Sequence, residues 1–395
     1  MRVLVLTHNY PRFPGDPAGA FVARLARATE AAGHETRVVT PHVAGTAEHE
    51  VDAGVAVTRF RYAPGKLERV GYTGSLHRDA FTKPLVALAL APFFASYRLA
   101  AARAVRDFRP DVVHAHWWMP SGAIAATLGT PLVVTSHGSD VRLLENVPPT
   151  RTLARRVYGR ASAITTVSHF LARDIARLLP GIETPVEVLP MPLDVEHFAK
   201  GESERRVSPP RVLYAGNLVA SKGVDLLIEA IALLHEQGVP CELRILGEGR
   251  ELPALRSLAT RRGVADAVTF SPFVAQSAMP AEYGRSTVTV LPTRGNAEGL
   301  GLTLVEALLA GSAVVGTPAG GIPEVVIDEE TGLIARGGDA NHLAAQIGRL
   351  IADPELRERL VKCGSARARE VYATAAASAR FIALYEKVSG SHRAV

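Results

Sequence analysis

The chain has 395 residues, 47% hydrophobic and 21% charged, a composition typical of globular proteins. This length exceeds what one core supports, so two domains of roughly 150–200 residues are expected. The two cysteines, Cys241 and Cys363, exclude a disulfide framework and a cysteine-type zinc site, which favours a reducing, cytoplasmic setting. The opening residues, MRVLVLTHNY, are typical of a first strand rather than a secretory signal. The uncharged apolar stretch 84–97 has 14 residues, short of the ~20 that span a bilayer.

The net charge of +5 is unevenly distributed: residues 1–195 carry 22 Lys and Arg against 16 Asp and Glu, and the remainder 22 against 23. Six basic residues lie between Arg59 and Lys83, just before the apolar stretch 84–97. Two interpretations stay open. The segment is either a solvated loop before a core-facing helix, or a surface for an anionic acceptor or for peripheral contact at the inner face of a membrane. Nucleic acid is not expected, because the charge is modest and basic and aromatic residues do not alternate.

The first half alternates short apolar strands with helices. Strands are predicted at 2–7, 36–40, 111–116, 131–138 and 163–168, and helices at 21–32, from Ser121, near 151–160 and at 169–179. Such alternation indicates a parallel sheet covered on both faces. The proline-rich stretch 180–210 is predicted to link this half to the next.

The second half repeats the pattern. Strands are predicted at 211–216, 241–247, 267–273, 287–293 and 312–317, and helices at 223–237, 251–262, 279–285 and 302–310. The sequence therefore predicts two Rossmann-like, doubly wound α/β domains, 1–195 and 196–375, facing across a ligand-binding cleft. The last helices, about 354–388, are expected to return to the first domain, with 376–395 packing against it.

Lys222 lies at the start of a helix, where a cation opposes the helix dipole. That position is favourable if an anion such as phosphate also binds there, because the ammonium and free amides would both face it. A surface lysine is the alternative.

Glu298 and Glu306 flank the start of an apolar helix. Glu298 lies in a glycine-rich turn with Gly299 and Gly301, whose amides can face an anion. Glu306 lies four residues into the helix, about 6 Å along its axis, where a carboxylate could bind the vicinal hydroxyls of a ribose. A capping Glu and an exposed helical Glu are the alternative.

In the first half, His137 ends a buried strand, where it either faces a ligand or is a satisfied core histidine. Gly19 lies in the loop after the first strand, where the backbone could approach an acceptor or a phosphate. Trp117 and Trp118 are either packing residues, the favoured interpretation, or platforms for an acceptor sugar.

The ordered motifs resemble those of glycosyltransferase family 4, whose members are retaining enzymes of the GT-B fold. The resemblance runs nearly end to end: the glycine loop, HAHW…P.G, T.HGSD, MPLDVEHF, G…KG, LGEG and E-x7-E. It implies transfer of a sugar from a UDP- or GDP-linked donor to a sugar, lipid-linked or anionic acceptor, as in cell-envelope glycolipid or polysaccharide synthesis.

The resemblance also assigns roles. Catalysis would fall to His137 and Glu298, and Gly19 would belong to the loop near the acceptor or phosphate. Donor binding would involve Asn217, Lys222, Val274, Gly299, Leu300, Gly301 and Glu306. The family is usually described as reacting on one face of the sugar, with the leaving phosphate taking the acceptor proton.

This chain departs from the family at Asn217, where members often carry Arg. Asn cannot reproduce the bidentate fork of a guanidinium, so donor affinity is expected to differ. No cofactor or metal is expected, since the chain contains no D-x-D stretch. The rival functions are a nucleotide-sugar epimerase and a non-catalytic sugar-nucleotide-binding protein. A nicotinamide oxidoreductase is disfavoured, because G-x-G-x-x-G does not follow the first strand.

Overall fold

The computed structural model describes residues 1–65, 68, 70, 72 and 84–393. The chain forms two compact units, Met1–Leu193 with Thr374–Val395, and Asp194–Ala373. The boundaries expected after residues 195 and 375 lie two residues further along the chain than these. Most of the basic segment between Arg59 and Lys83 lies outside the described residues.

The first unit contains an eight-stranded sheet of order β3-β4-β2-β1-β5-β6-β7-β8. The strands are β1 (Arg2–Leu6), β2 (Glu35–Pro41), β3 (His49–Asp52), β4 (Val55–Phe60), β5 (Val112–His116), β6 (Leu132–Ser136), β7 (Ala163–Thr166) and β8 (Val186–Val188). All neighbouring pairs are parallel except β3 with β4. Strands β5 and β6 are buried on both faces, which explains their unbroken apolar character.

The helices of the first unit are α1 (Ala20–Ala31), α2 (Pro84–Phe108), α3 (Ala123–Ala125), α4 (Ser139–Asn146), α5 (Thr150–Tyr158), α6 (His169–Leu178) and α15 (Thr374–Arg393). Helix α15 returns to this unit from the far end of the chain. The Thr374 hydroxyl donates to the Leu193 carbonyl at 2.8 Å, and the Tyr385 hydroxyl hydrogen-bonds to His114 Nδ1 at 2.7 Å.

The second unit contains a six-stranded, all-parallel sheet of order β11-β10-β9-β12-β13-β14. Its strands are β9 (Arg211–Ala215), β10 (Glu242–Leu246), β11 (Val268–Ser271), β12 (Val288–Leu291), β13 (Ala313–Gly316) and β14 (Leu333–Ile334). Its helices are α7 (Val195–Ala199), α8 (Val224–Glu236), α9 (Leu252–Arg261), α10 (Met279–Gly284), α11 (Leu302–Leu309), α12 (Ile322–Val325), α13 (Ala340–Ala352) and α14 (Pro354–Tyr372). Helix α8 buries Leu227, Ile228 and Ile231 at helical spacing, as predicted.

Two expectations need correction. The predicted linker 180–210 contains β8 of the first sheet and α7 of the second unit, because its apolar residues pack in each. Arg59 is not part of a solvated basic surface: it is 1% exposed and pairs with Glu50 at 2.6 Å. Helix α2 contains the apolar stretch 84–97 and continues to Phe108. Within the described part of the chain, every helix is too short or too polar to cross a bilayer.

Candidate functional site

Four loops of the second unit leave the sheet at one edge, because β10, β9, β12 and β13 are parallel neighbours. The loop after β9 carries Lys222, and the loop after β12 carries Glu298. Lys222 ends a 3₁₀ turn, Ala220–Lys222, directly before α8. Glu298 lies four residues before Leu302, the first residue of α11. The topology thus brings together two residues that are 76 positions apart in sequence.

The ammonium of Lys222 donates to Oε2 of Glu298 at 2.5 Å. The two side chains are only 18% and 16% exposed, so solvent screens the pair less than a surface ion pair. The Thr293 hydroxyl lies 3.5 Å from the same carboxylate oxygen. This edge of the sheet therefore presents one cation and one anion side by side.

Two contacts hold the loop that carries Lys222: a hydrogen bond from β9, and an ion pair between the loop after β12 and α8. Tyr214 of β9 is fully buried and donates to the carbonyl of Asn217 at 2.9 Å. Burial, and secondarily the Glu298 carboxylate, raise the pKa of Tyr214, so the phenol stays neutral. The Arg294 guanidinium binds both oxygens of Asp225, at 2.7 and 2.6 Å, and joins the loop after β12 to the first turn of α8.

The Glu298 loop rests on a glycine pair after β13. A Cβ on Gly320 would lie 1.8 Å from the Glu298 carbonyl oxygen, and one on Gly321 would lie 2.4 Å from that of Gly299. The amide of Gly321 donates to the Glu298 carbonyl at 3.2 Å. Glycine is required here because any side chain would displace the loop.

Glu306 extends from the second turn of α11 and is half-buried. Its Oε2 accepts a hydrogen bond of 2.8 Å from the hydroxyl of Tyr283, which lies on α10 and is 1% exposed. Burial, the Glu306 charge and this hydrogen bond together raise the pKa of Tyr283. The carboxylate is therefore held by a buried neutral donor.

The remaining predicted donor-site residues occupy the same edge. Asn217 is exposed and uses its carbonyl, not its side chain, for the bond from Tyr214. Leu300 is buried, while Gly301 has φ +92° and directly precedes α11. Gly299 lies against Gly321, and Val274, half-buried, lies three residues beyond β11.

The glycines of LGEG approach backbone of their own unit. A Cβ on Gly247 would lie 1.9 Å from the Gly216 carbonyl oxygen, and one on Gly249 would lie 2.1 Å from that of Leu218. The loop after β10 therefore packs directly on the loop that carries Asn217.

In the first unit, His137 directly follows β6. Its Nε2 lies 3.0 Å from Nδ1 of His116, and its ring contacts those of Phe21 and Trp117, with centroids 4.9 and 4.5 Å away. Burial, followed by the neighbouring imidazoles His114 and His8, lowers the pKa of His137 well below its ordinary value. The imidazole is therefore neutral at pH 7.

Asp140 organises the segment around His137. Its Oδ1 accepts the amides of His137 and Gly138 at 3.1 Å, and its Oδ2 accepts that of Trp118 at 3.2 Å. Trp118 also donates its indole N–H to the Asp140 carbonyl at 2.8 Å. Both residues are buried, so Trp118 is a packing residue, as interpreted from the sequence.

Trp117 is buried too, but its backbone has φ +65°, an uncommon value for a bulky residue. Gly19 precedes α1 with φ +68°, and a Cβ there would lie 2.2 Å from the Asn9 carbonyl oxygen. Phe21, two residues later, contacts His137, so the Gly19 loop and His137 belong to one cluster.

The structure thus joins Lys222 to Glu298 directly and places Glu306 and the other residues predicted to bind the donor on adjoining loops and on α11. His137 and Gly19 lie in the first unit. Tyr283, Tyr214, His116 and the pair Gly320 and Gly321 had no role predicted from the sequence. Only the glycine pair carried a signal, because it lies in the loop after a predicted strand, as Gly299 and Gly301 do. In the part of the chain that the structure describes, no group of three or more His, Cys, Asp or Glu side chains could hold a metal ion.

Two family models divide the chain between them. Residues 18–197 match glycosyltransferase family 4, and residues 196–367 match glycosyl transferases group 1. The fold and these matches thus define a glycosyltransferase of the GT-B class that uses a nucleotide-sugar donor, which confirms the predicted fold class.

The chain belongs to glycosyltransferase family 4. It is 31% identical over 340 residues to a D-inositol 3-phosphate glycosyltransferase of Acidothermus cellulolyticus, with 78% of this chain and 73% of the relative covered. A glycogen synthase of Mycobacterium tuberculosis is 28% identical over 384 residues, covering 93% and 90%. A GDP-mannose-dependent alpha-(1-6)-phosphatidylinositol monomannoside mannosyltransferase of Mycolicibacterium smegmatis is 28% identical over 376 residues, covering 89% and 90%.

Solved structures share the fold. Sucrose-phosphate synthase from Thermosynechococcus elongatus superposes with a TM-score of 0.79 at 20% identity, covering 99% of both chains. Anabaena Alr3699/HepE in complex with UDP superposes with a TM-score of 0.73 at 18% identity, covering 98% of this chain and 100% of that one.

Proposed function

We propose that this enzyme transfers a sugar from a UDP- or GDP-linked donor to an acceptor in glycolipid or polysaccharide synthesis, with retention of configuration and without a metal. The observation that carries the proposal is the Lys222–Glu298 pair at the strand-edge loops of the second unit. Lys222 neutralises the departing diphosphate together with the amides before α11, and Glu298 binds the transferred sugar. Glu306 binds the ribose, and the segment around Val274 lies against the base.

Retention by a reaction on one face of the sugar is supported by the environment of Asp140, the carboxylate beside His137 in the first unit. A double displacement needs a free carboxylate as nucleophile. Both oxygens of Asp140 accept backbone amides, and the residue is 4% exposed. Asp140 is therefore a structural group, and the leaving phosphate takes the acceptor proton while His137 orients the sugar.

A lipid-linked acceptor at an anionic membrane surface is favoured by the outer face of α2. Leu88 and Leu99 are 79% and 51% exposed and lie eleven residues, three helical turns, apart. The basic residues Arg98 and Arg103 are exposed on the same helix. Apolar and basic side chains together match the interface of an anionic bilayer.

The test begins with the donor. In a thermal-shift assay, UDP, GDP and their glucose and mannose conjugates should raise the melting temperature of the wild type. A ligand far above its Kd adds several kcal/mol to the free energy of unfolding. Lys222→Met should abolish the shift. Incubation of the stabilising donor without acceptor, with and without EDTA, should release the sugar slowly as its α anomer, detected by NMR before mutarotation.

Each outcome of that experiment is decisive. Release of the β anomer would contradict retention, and loss of release in EDTA would contradict metal independence. A new isomer of the intact donor would identify an epimerase, and binding without any turnover would identify a non-catalytic binding protein. The membrane surface is tested by sedimentation of the enzyme with vesicles, which is expected with phosphatidylglycerol but not with phosphatidylcholine. The double variant Leu88→Gln, Leu99→Gln should no longer sediment with the vesicles.

A further inference from the structure

A buried tyrosine hydroxyl lies against the carboxylate of Glu306. Tyr283 of α10 donates to Glu306 Oε2 at 2.8 Å, and its side chain is among the fully buried ones of the second unit. Neither the motifs of the chain nor the roles assigned above use this residue.

The direction of the hydrogen bonds around Tyr283 is defined. The side chain of Thr303, three residues before Glu306 on the same helix face, also hydrogen-bonds to the Tyr283 hydroxyl and lowers its pKa. An ionised carboxylate can only accept a hydrogen bond, so the single hydroxyl proton of Tyr283 is directed to Glu306. The Thr303 hydroxyl therefore donates to the phenol oxygen.

This arrangement couples the rotamer of Glu306 to a buried group. If the carboxylate turned away, the Tyr283 hydroxyl would lose its acceptor while remaining out of reach of water, which is costly. A bond to an ionised carboxylate is also stronger than a neutral one. Glu306 is therefore restricted to one orientation before any ligand arrives, which lowers the entropy that binding must remove.

We infer that Tyr283 is a positioning residue that fixes the Glu306 carboxylate for the two ribose hydroxyls of the donor nucleotide. The inference rests on the proposed function, in which Glu306 binds the ribose. Tyr283 touches neither donor nor acceptor and acts through Glu306 alone. Its contribution must therefore depend on the ribose hydroxyls, which a purely structural role would not.

Calorimetric titration with a matched pair of nucleotides tests this. UDP and GDP are tried first, and the one that the wild type binds more tightly is compared with its 2′,3′-dideoxy form. Tyr283→Phe should weaken the ribonucleotide roughly tenfold and the dideoxynucleotide less than twofold. Glu306→Gln should show the same selectivity, and the double variant should bind no more weakly than Glu306→Gln alone.

Two further variants separate positioning from stability. Thr303→Val keeps the tyrosine and should weaken the ribonucleotide about threefold with the same dependence on the ribose, which tests the inference even if Tyr283→Phe folds poorly. Tyr97→Phe is the matched control, since this buried tyrosine of α2 donates to Ser121 at 3.0 Å in the first unit. Tyr97→Phe should change neither the affinity for the ribonucleotide nor that for the dideoxynucleotide.

Suppose that Glu306→Gln still weakens the ribonucleotide more than the dideoxynucleotide. The inference is then overturned if Tyr283→Phe and Thr303→Val weaken the binding of both nucleotides equally, or if neither variant weakens binding. If Glu306→Gln itself does not distinguish the two nucleotides, the ribose role in the proposed function is wrong, and the role of Tyr283 falls with it.

Discussion

The ammonium of Lys222 and the carboxylate of Glu298 form a hydrogen-bonded ion pair of 2.5 Å between the loops that follow β9 and β12. Both groups must change partners when a donor binds in the proposed way, because the ammonium then faces phosphate and the carboxylate faces the sugar. The pair therefore holds each side chain near its working position and competes with the ligand.

Glu298→Gln removes this competition while keeping the shape of the side chain. We expect turnover to fall by about 100-fold or more, because the sugar loses a charged contact. Affinity for UDP or GDP should stay equal or rise a few-fold, because Lys222 is no longer neutralised. Steady-state kinetics and calorimetry measure the two effects, and a loss of nucleotide affinity that matches the loss of turnover would make Glu298 a binding residue instead.

Asn217→Arg restores the side chain that family members often carry at this position. Asn217 is exposed and only its carbonyl is engaged, so a longer side chain can be accommodated without breaking a contact. A guanidinium beside Lys222 should tighten UDP or GDP binding by about three- to tenfold, more at low salt than at high salt. Unchanged affinity at both salt concentrations would show that position 217 does not face the diphosphate.

Gly320→Ala tests whether the glycine pair positions Glu298. The new Cβ would collide with the Glu298 carbonyl oxygen, so the loop that carries Glu298 must move and, under the proposed function, turnover should fall by about 100-fold. Gly295→Ala is the control, since Gly295 has the same φ of +58° but nothing within 4 Å of the added carbon. It should keep turnover within about threefold, since its effect is confined to local backbone strain. Equal losses in the two variants would assign the effect to backbone strain.

The buried histidines of the first unit predict an acid-sensitive stability. Burial lowers the pKa of His8 from 6.5 to about 4, so the unfolded chain takes up this proton at a higher pH than the folded one. The stability that neutral His8 contributes is therefore complete above pH 6.5 and is lost as the pH falls toward 4. The loss amounts to about 1.4 kcal/mol per pH unit.

His8→Phe should reduce the pH dependence of the urea-unfolding free energy between pH 6.5 and 5 by about 2 kcal/mol. His49→Gln, at an exposed histidine of β3, should leave it unchanged. The same pH dependence in all three proteins would show that His8 is solvated.

The fold was largely predictable because the patterns are strong. Helix α8 has apolar residues at helical spacing and ends before a glycine, and the buried strands of both sheets are short apolar runs. The hairpin of β3 and β4 was not predicted. His49–Asp52 is half-exposed, pairs antiparallel at the edge and has no apolar alternation.

The meeting of Lys222 and Glu298 was predictable, because both are charged residues in loops that follow neighbouring parallel strands. The site was not predictable where an ordinary residue acquires its role through a tertiary contact. Tyr283 fits the apolar pattern of a core helix, and its bond to Glu306 depends on how α10 packs on α11. Gly320 meets Glu298 only because β13 lies beside β12 in the sheet.

The return of α15 to the first unit has a consequence for biosynthesis. Tyr385 fills the space beside His114 of β5, so that interior is incomplete until the segment beyond Thr374 has left the ribosome. The second unit, Asp194–Ala373, is contiguous in sequence and can acquire its final structure earlier. The first unit, although its translation begins first, completes its fold last. Nascent chains would therefore expose His114 to chaperones throughout synthesis of the intervening 180 residues.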